Sequence, residues 1–239
     1  MTRAKGTDLS QWNGKVDFVK MRAAGISFVF CKASQRIADK TFAYNWNGAK
    51  AAGLLRGAYH YLDLGISEVT QANLFCSLLK DDQGELPPVL DIEEEPASYG
   101  MTFKTMQGRV WNFQNIVFKT LGQYPMPYMG YYSWREKMTP AVEWMRRPEY
   151  WLPWYADESI VRTPPPYTKW TFWQYTADGD GKTYGAPELA QIDLNLYCGT
   201  EAELRATYGQ PPVVVTPVLT LEQRLAALET EARMKGWHV

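Results

Sequence analysis

Five strand-like runs, each followed by a helical pattern, fill the first two thirds of this chain, and three more follow without room for helices. The first five lie at 6–9, 26–32, 55–62, 88–92 and 128–132, with helical patterns at 16–24, 42–52, 67–80, 103–121 and 141–145. A strand, a helix and a second strand form a unit that brings the two strands together in parallel. The run ISFVFCK at 26–32 is nearly all apolar, as a strand buried on both faces requires. Gly53 supplies a stop for the second helix, and Val69, Ala72, Cys76 and Leu79 give the third an apolar stripe. Beyond residue 150 the strand-like runs are 151–155, 169–175 and 191–194. Their separators, Thr163-Pro164-Pro165-Pro166 and Asp178-Gly179-Asp180-Gly181, cannot hold crossover helices. The expected fold is α/β: an incomplete (β/α) barrel, TIM-barrel-like, with eight mostly parallel strands and about five helices. An open doubly wound sheet is the alternative that the same pattern allows.

The barrel is expected to occupy residues 1–208. A linker stiffened by three prolines follows at 209–217, and then an amphipathic C-terminal helix at 218–239. Val218, Leu221, Leu225, Leu228 and Ala232 alternate at spacings of three and four, giving about two heptads of apolar stripe. That stripe either docks on the barrel or joins copies of the chain into a homo-oligomer.

Composition removes several classes of function. A net charge of -1 gives no overall attraction to nucleic acid. The longest apolar runs are far too short to insert into a bilayer. Cys31, Cys76 and Cys198 are scattered, and His60 and His238 are the only histidines, so neither a disulfide framework nor a metal site is expected, and no cofactor. Residues 1–6 lack the apolar segment of a secretory signal. The reading is a chain made in the cytoplasm that reaches its target by lysis or a holin-type route. Ten Trp, fifteen Tyr and nine Phe exceed what one core needs, which suggests a surface that stacks on flat ligands.

In a parallel barrel the chemistry gathers where strands end. Asp8 ends the first strand (GTDLS), Asp91 and Glu93 the fourth (VLDIEEE), and Asp193 the eighth (QIDLN). Positions two apart share a side of a strand, so Asp91 and Glu93 are expected to project together. First and eighth strands are neighbours in a closed barrel, which brings Asp8 to Asp193. Crowded carboxylates hold a proton to higher pH, as glycoside hydrolysis requires of its acid. Tyr59, Tyr61, Tyr131, Tyr132, Trp151, Trp154, Tyr155, Trp173 and Tyr175 lie on or just after candidate strands and suit sugar faces, about half of them being core. His60 is expected in the core, opposite Tyr59 and Tyr61.

GTDLSQWNGKVDF, GISFVFCKAS, AAGLLRGAYHYL, LPPVLDIEE, FWQYT and QIDLN, in this order across residues 6–199, resemble the glycoside hydrolase family 25 lysozymes. The resemblance implies an N-acetylmuramidase that cleaves the β-1,4 bond after N-acetylmuramic acid in bacterial peptidoglycan, its partner, with net retention. It implies Glu93 as general acid and Asp91 as the carboxylate that stabilises the reaction centre or orients the acetamido group. Asp8 and Asp193 match supporting acids of the groove floor. Lys32, Tyr61, Tyr132, Tyr155, Trp173 and Gln174 match substrate-binding positions. One departure stands out: where the family runs Lys-Ala-Thr-Glu-Gly, this chain has Lys32-Ala33-Ser34-Gln35-Arg36, losing a carboxylate and gaining a cation. Two other readings compete: a non-catalytic peptidoglycan-binding barrel of a wall-docking assembly, and a chitinase-type barrel, whose longer acidic run Val89 breaks.

Overall fold

The computed structural model describes residues 2–140, 149–187 and 191–209. Eight strands close in chain order into a barrel: β1 (Lys5–Leu9), β2 (Ile26–Ser34), β3 (Leu55–Tyr61), β4 (Val89–Asp91), β5 (Met126–Tyr128), β6 (Trp151–Pro153), β7 (Phe172–Asp180) and β8 (Gln191–Tyr197). Closure excludes the open doubly wound sheet. The helices described are α1 (Phe18–Ala23), α2 (Phe42–Ala51), α3 (Glu68–Leu79), α4 (Phe103–Leu121), α5 (Tyr131–Lys137) and α6 (Glu201–Tyr208).

Neighbouring strands from β1 to β7 are parallel, whereas β8 runs antiparallel to both β7 and β1. The reversal follows from connection length, because a short link between strands makes a hairpin and only a long crossover restores parallel direction. One expectation is thereby corrected: Asp193 lies near the start of β8, not its end. The reversed strand still delivers it to the mouth reached by the ends of the parallel strands. A second correction concerns Asp178-Gly179-Asp180, expected as a separator; it is the last part of β7 and pairs with β8.

The barrel interior explains much of the aromatic count. Phe28, Phe30, Trp151 and Phe172 are buried together, with Phe30 stacked on Trp151 at 4.4 Å and edge-on to Phe172 at 5.0 Å. Burial of each such ring is worth about 1.5–3 kcal/mol. Gly6 and Gly57 make room for this: a Cβ on either would collide with the Phe28 or Phe30 ring. Outside the barrel, Met106, Val110, Phe113 and Val117 of α4 pack with Phe75 of α3 in the layer between strands and helices. His60 belongs to that layer, as expected, where its ring stacks on Phe113 and bonds Ser34 and Gln71. Burial pushes its pKa down to about 4.

The fifth strand is Met126–Tyr128 rather than 128–132, and Tyr131 begins α5. The aromatic run YYSW reads locally as strand, but tertiary burial of Trp134 on one helical face decides otherwise. The helix expected at 141–145 lies outside the described residues. So do the linker at 210–217 and the C-terminal helix at 218–239, with the homo-oligomer they would form. Helix α6 was not expected, although Thr200 and Glu203 form a reciprocal capping box at its start. Its Leu204 and Tyr208 pack against Phe172 and Tyr197 of the barrel interior.

Candidate active site

The ends of β1 and β4 and the start of β8 bring all four predicted acids to one mouth. Asp8, Asp91, Glu93 and Asp193 line a cavity of about 270 Å³ together with Lys32, Tyr59, Tyr61, Tyr128, Tyr155 and Gln174. Register accounts for the convergence. Asp8 of β1 lies directly opposite Asp193 of β8, and Asp91 of β4 lies between Tyr61 of β3 and Tyr128 of β5.

Asp8 is held by a buried polar network. Its Oδ2 accepts from Asn195 Nδ2 at 2.7 Å and from Gln174 Nε2 at 3.0 Å. Asn195 Oδ1 in turn accepts from Trp151 Nε1 at 2.7 Å. Gln174 Oε1 accepts from both Tyr128 and Tyr155 hydroxyls, at 2.8 and 2.7 Å. The two tyrosines thus fix the Gln174 amide so that its NH2 faces Asp8. Burial, then the Asp193 charge, push the Asp8 carboxyl well above the usual range, against the bonds from Asn195 and Gln174. Burial also raises Asp193, and a hydrogen bond from Asp8 works against that rise.

The second pair works alike. Asp91 is buried, whereas Glu93, two residues on and past the end of β4, is exposed at the mouth. Burial pushes Asp91 well above the ordinary range, the Glu93 charge adds to this, and Lys32 opposes it. Glu93 is raised by burial, lowered by the Lys32 charge and raised again by Asp193. The hydrogen bond between the pair raises Asp91 and lowers Glu93, so the two carboxyls titrate together rather than independently. Asp91 Oδ1 is buried with no hydrogen-bond partner among the described residues.

Among the predicted substrate-binding residues, Lys32, Tyr61, Tyr155 and Gln174 line this mouth. Lys32 Nζ lies 4.8 Å from the Tyr61 ring centroid and donates to Gln35 Oε1 at 3.0 Å. Tyr132 stands on the first turn of α5, 73% exposed, and packs on Trp154 at 5.8 Å. Trp154, Tyr155 and Glu93 share an adjoining cavity of about 300 Å³, so Tyr132 stands beside the rim rather than in the mouth. Trp173 is a correction: it is 4% exposed, and its Nε1 donates to the Trp154 carbonyl at 2.7 Å. Adjacent residues of a strand face opposite ways, so Gln174 pointing inward turns Trp173 outward.

Sequence reasoning missed Tyr128 and Asn195 as members of the network. Asn195 had a signal, since it follows Asp193 by two on β8, whereas Tyr128 becomes a strand end only once the fifth strand is seen to be Met126–Tyr128. The expected gain of a cation at Arg36 is largely cancelled, because its guanidinium pairs with the buried Asp63. Among the described residues no group of three or more His, Cys, Asp or Glu could hold a metal ion, and no helix is long and apolar enough to cross a membrane.

The model of the family described as "Glycosyl hydrolases family 25" matches residues 7–183. The chain belongs to that family. It is therefore a glycoside hydrolase. Among its relatives, the uncharacterized protein YegX of Escherichia coli K12 is 32% identical over 209 residues, covering 84% of this chain and 72% of YegX. Lysozyme M1 of Streptomyces globisporus is 32% identical over 214 residues, covering 84% of this chain and 70% of that enzyme. The crystal structure of the bacterial lysozyme from Streptomyces coelicolor superposes with a TM-score of 0.75 at 27% identity, over 89% of this chain and all of that one. Family 25 membership agrees with the barrel.

Proposed function

We propose that this family 25 hydrolase is an N-acetylmuramidase that cleaves the β-1,4 bond between N-acetylmuramic acid and N-acetylglucosamine in bacterial peptidoglycan. The observation that carries the reading is the pair of acids at the end of β4: a buried Asp91 beneath an exposed Glu93, both lining the mouth. The relatives named lysozyme support the choice of polymer.

A sugar seated over the mouth excludes water from Glu93, which raises its affinity for a proton. Glu93 thereby takes up the proton of the pair and Asp91 the charge, giving an acid that faces the substrate and an anion beneath it. Glu93 then protonates the leaving glycosidic oxygen as the C–O bond breaks. The acetamido oxygen of the muramic acid attacks the anomeric carbon, and the bond it forms replaces the one lost. Asp91 stabilises the positive charge on the acetamido group and offers Oδ1 to its N–H. Glu93, now ionised, takes a proton from water as that water attacks the anomeric carbon and releases the acetamido oxygen. Two inversions give net retention. Asp8 and Asp193 keep the floor of the mouth negative, and Tyr61, Tyr155 and Gln174 supply faces and polar edges for the sugar.

Retention is tested by proton NMR of the first product formed from a soluble glycan. The β-anomer is expected first, with the α-anomer growing in by mutarotation. An initial α-anomer would show direct attack by water and remove the acetamido step.

A further inference from the structure

A second cavity, of about 460 Å³, opens beside the mouth and shares Trp12 and Lys32 with it. Its size falls within the range of about 300–1,000 Å³ usual for pockets that hold small ligands. Its walls come from the loop after β2 and from the turn after β1. Trp12 and Ile37 are 82% and 70% exposed, two large apolar side chains left in water on facing loops. The cavity also holds Lys32, Arg36 and Lys40 against a single carboxylate, Asp39.

That carboxylate is fully engaged in holding the loops. Asp39 Oδ1 accepts from the Thr41 backbone N–H and hydroxyl at 2.8 and 2.7 Å, and Oδ2 accepts from the Gln11 N–H at 3.1 Å. Arg36 is paired with Asp63. Lys32 bonds the neutral Gln35 amide and already faces the charges of Asp91 and Glu93, whereas Lys40 has no ion-pair partner among the described residues. The cavity thus offers apolar walls and the ammonium group of Lys40 directly beside a mouth lined by four acids. A ligand that is neutral at one end and anionic at the other is oriented by this field, its anionic part directed away from the acids.

We infer that this cavity binds the short acidic peptide that peptidoglycan carries on its muramic acid, so that the enzyme reads the peptide as well as the sugar. The inference rests on the muramidase reading. Muramic acid bears its peptide on a lactyl ether beside the acetamido group, so a peptide leaving a sugar in the mouth has to run over one rim. Aliphatic side chains of the peptide suit Trp12 and Ile37, and its free carboxylates suit Lys40.

The test compares soluble glycan chains carrying their peptides with the same chains stripped of peptide by an amidase. The wild-type enzyme is expected to show a KM about ten-fold lower on the peptide-bearing chains, the size of one charge-assisted contact. Lys40→Glu and Ile37→Asp, both at exposed positions, are expected to abolish that difference while leaving kcat and KM on stripped chains unchanged. Equal KM values for the two substrates in the wild type would overturn the inference while leaving the muramidase reading intact. So would variants that weaken action on both substrates alike. Failure to cleave either substrate would overturn both readings.

Discussion

Replacement of Glu93 by Gln is expected to lower kcat on purified peptidoglycan by about 10²–10⁴-fold. Gln keeps the volume and the hydrogen bond to Asp91 but has no proton to give to a leaving oxygen. Glu93 is exposed at the mouth, and substitutions at such positions change stability by no more than about 0.5 kcal/mol. Rate and melting temperature should therefore separate cleanly. Measurement of both on one preparation checks this. Near-wild-type turnover in a folded Glu93→Gln protein would remove Glu93 from the role of acid.

Asp91→Asn is expected to reduce kcat by about 10²–10³-fold, the usual loss when a preorganised electrostatic contact to the reacting centre is removed. Its effect on stability should have the opposite sign. The folded carboxyl titrates well above its unfolded value, chiefly through burial and secondly through the Glu93 charge. The folded chain consequently binds more protons than the unfolded chain between those two values, and stability falls as pH rises through that window. Asn does not titrate. The variant should match the wild type near the ordinary carboxylate pKa of about 4 and exceed it increasingly toward neutral pH. A gain of about 0.5–2 kcal/mol is typical for relief of this kind, or about 2–4 °C per kcal/mol in a chain of this size. Thermal melts of both proteins from pH 4 to pH 8 provide the measurement. A variant less stable than the wild type at neutral pH would show that Asp91 holds the fold together.

The barrel was legible in the sequence because its strands are apolar, short and separated by amphipathic stretches or by proline and glycine. The direction of β8 was not, since periodicity reports which residues are buried and carries no information about strand polarity. Asp193 reached the right place by either route, because a strand entering from the mouth and one ending there both put an acid at the rim. Residues 131–137 misled for a physical reason. Tyr, Tyr and Trp favour strands locally, and only the burial of Trp134 beneath Tyr150 and Tyr167 makes a helix of them. The capping box at Thr200 and Glu203, by contrast, was present in the sequence and sufficient to place α6.

Within the site, the acids were readable from strand ends and Gln174 only from the family resemblance, whereas Trp173 was assigned to the sugar although alternation turns it outward. The Tyr128–Gln174–Asp8–Asn195–Trp151 network lay beyond reach, because its members come from five strands and only the closed register brings them into contact. The loop after β2 shows the same limit. Its loss of a carboxylate at residue 35 was visible, but the pairing of Arg36 with Asp63 depends on how the loops meet.

Digestion of purified peptidoglycan, followed by reduction and mass spectrometry of the new reducing ends, tests the central claim most directly. The account predicts N-acetylmuramic acid at those ends, appearing with the wild-type enzyme and absent with Glu93→Gln. Reducing ends carrying N-acetylglucosamine would assign the opposite bond, and a digest without new ends would make the barrel a binding module rather than a muramidase.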